Sequence, residues 1–394
     1  MSENAPDSVV AIGAGQAASQ LAISLRQGGY AGRIVLIGDE PFLPYSRPPL
    51  SKAYFKDGQP ERLLLRKQDF YDKNAIEIRT SARVVSIDRD ARQIRLAGGE
   101  VVDYGHLVLA TGARNRVLSI PGADLAGVLM LRGLQDADRM RSLAGSARHV
   151  AIIGGGFIGL EAAAVFRAAG LRGTLLEAAG RLMARAVSPQ VSDHFLSLHR
   201  AAGADIHLQE TVRRILPDAG GKVAGVELGC GTIVDADAVL IAAGIVPNDD
   251  LARDAGLRID NGIVTDCFLA TSDPAISAIG DCANVQHGPD GPHLRLESVQ
   301  AAVDQAKNLA ARLLGQPEPY RKSAWFWSDQ GTAKLQIAGL RHGADRFDTG
   351  ADPDAGKLIV RSYRGDRLVC VETVNMPAEH MRARRDLESE TAPA

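Results

Sequence analysis

The chain has 394 residues, with 45 Lys and Arg against 47 Asp and Glu and a formal net charge of −2. That near balance gives no electrostatic footprint for nucleic acid or for an anionic membrane surface. The length allows two or three domains with full cores, and no segment reaches 18 uninterrupted apolar residues, so neither a membrane span nor a signal peptide is expected and a cytoplasmic location is.

In chain order, residues 1–8 are polar and expected to fray. Val9–Ile12 is a short apolar run that enters Gly13-x-Gly15-x-x-Ala18. Helical spacing follows to about Gln27, then a strand, Arg33–Ile37, that ends at Gly38-Asp39-Glu40. This is a strand–turn–helix–strand unit for holding a dinucleotide, with Ala in the place of a third glycine, which the fingerprint allows. Asp39 or Glu40 can accept the ribose hydroxyls. Alternating runs at Arg83–Asp88, Gln93–Leu96 and Val101–Tyr104 lead to Leu107–Gly112.

The unit then recurs. Val150–Ile153 enters Gly154-x-Gly156-x-x-Gly159, a helix runs to Gly170, and a second apolar run ends on Glu177, 23 residues after Gly154. Gly154 makes the tight turn, Gly156 admits a pyrophosphate to the backbone, and Gly159 lets the helix lie close on the strand. The free N–H groups of that helix face the phosphates, and Glu177 is placed for the ribose hydroxyls. Runs at Thr211–Leu216, Val223–Leu228 and Thr232–Asp235 then lead to Val239–Gly244. Ninety-nine residues separate Gly13 from Gly112, and ninety separate Gly154 from Gly244, which is the signature of an internal duplication.

After Pro247-Asn248, a further strand at Ala275–Ile279 ends in Gly280-Asp281-Cys282, and a helix is expected over Val299–Leu314. The second half already has its closing run, so this strand is assigned to the first half. The expected fold is α/β: two Rossmann-like doubly wound domains, the second inserted into the first, plus a small α+β domain. The divisions are 1–112 with 245–319, then 113–244, then 320–394. In the last, Lys334–Gly339, Lys357–Tyr363 and Arg367–Val374 read as strands and Asp386–Ala394 as a charged tail. Four scattered cysteines without a CxxC indicate neither a disulfide framework nor a metal site, and Cys282 reads as a small buried residue.

Seven pieces of this sequence, GAGQAA (Gly13–Ala18), PYSRPPLSK (Pro44–Lys52), LATGAR (Leu109–Arg114), IGGGFIGLE (Ile153–Glu161), AIGDCA (Ala278–Ala283), ESVQAA (Glu297–Ala302) and WFWSDQ (Trp325–Gln330), occur in this order. Together they resemble the NADH-dependent ferredoxin reductases of oxygenase systems, from Val9 to about His380. The resemblance implies a glutathione-reductase-like fold with FAD on the first half and NADH on the second. It places Gly13, Gly15, Ala17 and Ala18 at the FAD pyrophosphate and Asp39 at its ribose. Arg47 and Lys52 fall on the phosphate and flavin side, and Val84 presents backbone to the adenine. Ala110, Thr111 and Gly112 line the pyrophosphate channel, Arg132 is a further FAD contact, and Asp281 holds the ribityl chain. Glu297, Val299 and Trp327 line the isoalloxazine, with the helix from Val299 aimed at the flavin pyrimidine. NADH falls to Gly154, Gly156, Phe157, Ile158, Gly159, Glu177, Arg185, Ala243 and Gly244.

The implied activity is hydride transfer from NADH to FAD, then single-electron transfer to a small [2Fe–2S] ferredoxin. Lys52 and Glu161 are the charged groups expected to pair near the reactive flavin atom. A disulfide reductase of the same architecture needs a close cysteine pair, and no two cysteines lie within ten residues. A rubredoxin-linked reductase and an apoptosis-inducing-factor-like redox flavoprotein are the alternatives. The scattered cations Arg66, Lys67, Lys307, Arg312 and Arg341 are the expected docking surface for the acceptor.

Overall fold

The computed structural model describes residues 5–389. Its first five-stranded sheet is wholly parallel, in the order Ile276–Ala278, His106–Leu109, Ser8–Ile12, Arg33–Ile37, Ile76–Arg79. The central strands are near-continuous apolar runs because both faces are covered, by helices and by the antiparallel strands that add Ile94, Leu96 and Val102 to the same core: His106–Leu109 is buried at all four positions. Helix Gln16–Gln27 lies against helix Val299–Leu313. Ala18, Ala22, Ala306 and Ala310 are buried in the same core, and their small side chains let the two helices approach.

A second parallel sheet runs Asp205–Leu208, Arg172–Glu177, His149–Ile153, Ala238–Ile241, Val128–Leu129. Each half carries a three-stranded antiparallel excursion, Val84–Asp88 to Val101–Asp103 in one and Val212–Pro217 to Ile233–Asp235 in the other. The halves differ in where the strand beyond the closing run comes from. In the first sheet it is Ile276–Ala278, far downstream, and in the second it is Val128–Leu129, upstream of the glycine turn. The chain enters and leaves the second half through Ala113–Asn115 and Ile245–Pro247, which pair antiparallel.

The third segment is a five-stranded antiparallel sheet, in the order Trp325–Gln330, Ala333–Gly339, Arg367–Val374, Lys357–Arg364, Arg346–Asp352. Two of these strands, Trp325–Gln330 and Arg346–Asp352, are additional to the three expected. Helix Pro377–Ser389 covers the sheet, with Ala383 and Leu387 packed on Ala338, Ile359 and Val371. The expected charged tail is therefore corrected over 386–389, where the helix buries Leu387; residues 390–394 lie outside the described residues. The expected fraying at the start is corrected too. Tyr30 donates to the Pro6 carbonyl at 2.6 Å, Arg33 N–H donates to the Asp7 carbonyl at 3.1 Å, and Ser8 already opens a strand, while residues 1–4 lie outside the described residues.

One core cluster joins all three segments around the site. It contains Leu50 and Tyr54, Leu160 and Phe195 of the second half, and Leu335 and Val360 of the C-terminal sheet.

Candidate functional site

Two glycine turns of the same geometry stand at the carboxyl ends of the two parallel sheets. Gly13 and Gly154 both have φ of +114°, and a Cβ on either would lie 2.1 Å from the Ala110 carbonyl oxygen or 2.4 Å from that of Ala242. Only glycine meets both conditions. At Gly159 a Cβ would sit 2.0 Å from the Gly154 carbonyl oxygen, which fixes how closely the helix approaches the turn. At Gly15 and Gly156, in contrast, a Cβ would meet nothing within 4 Å. These two residues precede helices Gln16–Gln27 and Phe157–Ala168, and neither helix start has a side-chain cap. Uncapped N–H groups facing open space make an anion cradle, so both turns fit a dinucleotide pyrophosphate.

Around the first turn, Ala17 and Ala18 are buried in the helix and Asp39 is exposed. Glu40, the alternative ribose ligand, is engaged elsewhere: it pairs with Arg47 and accepts from the Tyr45 hydroxyl at 2.6 Å. Arg47 also donates to the Arg132 carbonyl at 2.9 Å. Arg132 forms an ion pair with Asp281 at 2.9 Å, which joins two of the residues named from the sequence. Thr111 donates to the Asn248 carbonyl at 2.6 Å, and the Asn248 amide donates to the Thr111 carbonyl at 2.9 Å. Sequence reasoning missed Asn248, although it follows Pro247 in the returning linker. Gly112 has φ of +67°. Val84 is buried on the first antiparallel excursion, opposite Leu96. Glu297 pairs with Arg295 at 2.7 Å, and Val299 opens the helix capped by Ser298, whose Oγ accepts from Ala301 N–H at 3.0 Å. Cys282 is fully buried with its thiol toward the Leu109 and Ile279 carbonyls, and burial pushes that thiol up.

Around the second turn, the Glu177 carboxylate accepts from Gly155 N–H at 2.6 Å and from Ala179 N–H at 2.7 Å. The acid at the end of the second strand thus lies directly against the glycine turn. Ile158 is exposed, and the Phe157 ring packs 4.5 Å from that of Phe326. Ala243 and Gly244 close the adjacent strand, where a Cβ on Gly244 would lie 3.4 Å from the Arg185 guanidinium.

A charged group built from all three segments forms on the helix that follows the second turn. Lys52 Nζ is 3.3 Å from Glu161 Oε1 and 3.2 Å from Asp329 Oδ2. Glu161 is buried in the helix after the second turn and accepts two hydroxyl hydrogen bonds at 2.6 Å, from Ser51 on Oε2 and from Ser328 on Oε1. Gln330 donates to Ser328 Oγ at 3.3 Å, and its carbonyl lies 2.8 Å from His199 Nε2. Burial lowers the His199 pKa, so the imidazole is neutral and donates through Nε2 to the glutamine oxygen. The strand Trp325–Gln330 supplies this group by alternation, with Phe326, Ser328 and Gln330 toward the second half and Asp329 toward Lys52. Trp327 is half-buried beside Trp325, ring centroids 5.6 Å apart.

Two of the expected docking cations are partly buried and hydrogen-bonded within the chain. Arg312 donates to Phe268 carbonyl and Ser277 Oγ, inside the first half, and Arg341 donates to the Ala184 carbonyl. Arg66, Lys67 and Lys307 are exposed.

A family described as "Pyridine nucleotide-disulphide oxidoreductase" matches residues 7–306, and one described as "Reductase C-terminal" matches residues 325–394. Rhodocoxin reductase of Rhodococcus erythropolis is 47% identical over 384 residues, covering 97% of this chain and 90% of that protein. The ferredoxin reductase for the CYP199A2 system of Rhodopseudomonas palustris superposes with a TM-score of 0.94 at 46% identity, over 96% of this chain and 93% of that one. The reductase in a covalent putidaredoxin reductase–putidaredoxin complex does so with a TM-score of 0.94 at 38% identity, over 98% and 93%.

Proposed function

Because the chain belongs to the pyridine nucleotide-disulphide oxidoreductase family, we propose that it is an FAD-dependent NADH:ferredoxin oxidoreductase supplying electrons to an oxygenase, a cytochrome P450 or a ring-hydroxylating dioxygenase. When bound, FAD supplies the chemistry, taking hydride from NADH and releasing single electrons to a small [2Fe–2S] ferredoxin. The observation that carries the reading is the pair of matching glycine cradles together with the Lys52–Glu161–Asp329 group.

In this reading the first cradle, with Asp39, Arg132 and Asp281, holds FAD, and the second, with Glu177 and Arg185, holds NADH. Glu177 accepts hydrogen bonds from a free ribose 2′-hydroxyl and repels a 2′-phosphate, which favours NADH over NADPH. Glu161 orients Lys52 and balances its charge, so that the ammonium is held on the flavin side without a net buried charge. Trp327 and Val299 are assigned to the isoalloxazine wall. The division at 112/113 and 244/245 belongs to the same proposal and is supported by the paired linkers. So does a cytoplasmic location; no helix among the described residues is long and apolar enough to cross a membrane.

Stopped-flow mixing of the NADH-reduced holoprotein with a panel of [2Fe–2S] ferredoxins and rubredoxins tests the assignment. Fast, multiple-turnover oxidation by a [2Fe–2S] ferredoxin is the expected result. Oxidation by rubredoxins alone moves the protein to the rubredoxin-linked class, and oxidation by neither removes the electron-transfer assignment.

A further inference from the structure

The segment from Arg181 to Ser188 links the second strand of the NADH half to helix Pro189–Ala201, and it touches the glycine turn directly. Met183 N–H donates to the Gly155 carbonyl at 2.9 Å, and a Cβ on Gly155 would sit 2.7 Å from the Leu182 side chain. Met183 and Val187 are buried, while Arg185 projects into solvent at the midpoint beside Gly244. The loop's backbone is held from two sides: from within, Arg181 donates to the Ala184 carbonyl at 2.5 Å and to the Val187 carbonyl at 2.9 Å, and from outside two residues of the C-terminal segment reach it. Arg341 donates to the Ala184 carbonyl at 3.0 Å, and Glu372 Oε1 accepts from Ser188 N–H at 2.9 Å. The Gln330 amide lies 3.6 Å from Met183 Sδ. All three of these residues belong to the C-terminal sheet segment, and Glu372 and Ser188 are fully buried.

We infer that Glu372 and Arg341 are positioning residues for NADH, through which the C-terminal sheet holds the 182–188 loop against the nucleotide turn. Neither residue touches the nucleotide. They fix the backbone from which Arg185 is presented and the Met183–Gly155 bond that shapes the turn. The C-terminal sheet thereby sets affinity for the donor. This inference rests on the assignment of NADH to the second cradle, but the state of the loop can be read without nucleotide.

The test uses the FAD-loaded full chain and the variants Glu372→Ala, Glu372→Gln and Arg341→Ala. Hydrogen exchange of a peptide spanning 182–188 reports the clamp itself, and NADH titration reports its consequence. Glu372→Ala and Arg341→Ala are expected to speed exchange in that peptide and to raise the NADH dissociation constant roughly ten-fold, the size of one lost hydrogen bond to a charged group. Glu372→Gln keeps an acceptor for Ser188 N–H and is expected to restore most of both. Arg341→Ala removes one partly exposed donor, so it decides the matter if Glu372→Ala does not fold. Unchanged exchange in Arg341→Ala and Glu372→Ala overturns the clamp whatever the protein binds. Faster exchange with unchanged NADH affinity overturns its link to the nucleotide. Wild-type protein that fails to bind NADH strikes instead at the assignment of the second cradle.

Discussion

Buried Glu161 accepts from two serine hydroxyls and faces Lys52, whose other partner, Asp329, is partly exposed. Glu161→Gln keeps the shape and removes the charge, leaving Lys52 to Asp329 and to water. Flavin reduction by NADH is expected to slow by about ten-fold in Glu161→Gln and in Lys52→Met, as when one charged hydrogen-bonding partner is lost. Stopped-flow absorbance checks this, and wild-type rates with wild-type spectra in both variants would sink the role. Asp281→Ala leaves Arg132 without its 2.9 Å partner, and the variant is expected to lose bound FAD, measured as flavin per protein after gel filtration. At Glu177, both carboxylate oxygens already accept backbone N–H groups of the turn, so Glu177→Ala removes a local brace together with the 2′-hydroxyl acceptor. Its kcat/KM with NADH is expected to fall and the gap to NADPH to narrow. Equal values for the two coenzymes in the wild type would take Glu177 out of the ribose site. Glu177 was legible from its spacing after Gly154. Ser328 and Gln330 were not given roles, because what joins them to Glu161 is a contact 167 residues long in sequence that no local pattern encodes.

At the scale of elements, short runs with at least one apolar face were the easiest to read. Gln93–Leu96, Val223–Leu228 and Arg367–Val374 match the observed strands residue for residue. Arg346–Asp352 was missed because it is a sheet edge: six of its seven positions are exposed or charged, so alternation is lost. Val128–Leu129 is too short to carry any period. The final helix was missed for a similar reason. Its composition is charged throughout, and only His380, Ala383 and Leu387 turn inward. Leu387→Ala removes one of the few apolar anchors between this helix and the sheet, and a loss of about 2–4 kcal/mol is expected. Denaturant unfolding would measure it, and a midpoint equal to wild type would mean that the helix does not depend on that contact.

For the molecule as a whole, acid stability turns on neutral histidines. His106 is buried at the start of its strand, with Nε2 2.8 Å from the Ser277 hydroxyl and 3.3 Å from the Arg312 guanidinium. Burial first, and Arg312 second, push its pKa from 6.5 down to about 3. His380 is pushed down to about 4, by burial and then by Arg384 and Lys334. Below pH 6.5 the unfolded chain takes up protons that the folded protein refuses, so stability falls from about pH 6.5 towards pH 3, and the term vanishes above that window. The His106 share is on the order of a few kcal/mol, and His106→Gln is expected to flatten the pH dependence of the denaturation midpoint. At the surface, the exposed cations Arg66, Lys67 and Lys307 remain for steering an acidic ferredoxin. Turnover with ferredoxin is expected to slow as salt rises while turnover with ferricyanide changes little, and salt-independent ferredoxin turnover would point to an apolar interface. The paired linkers at 113–115 and 245–247 also carry a consequence for biosynthesis. A ribosome completes the whole second half before it makes Ile276–Ala278, the strand that covers His106–Leu109. At ordinary translation speeds that edge stays bare for on the order of ten seconds. Asp281 and helix Val299–Leu313 emerge later still, so the nascent chain can finish its NADH half while it still lacks the residues assigned to grip FAD. On this order of synthesis the residues assigned to FAD come late, and the edge of His106–Leu109 stays open to pairing until then.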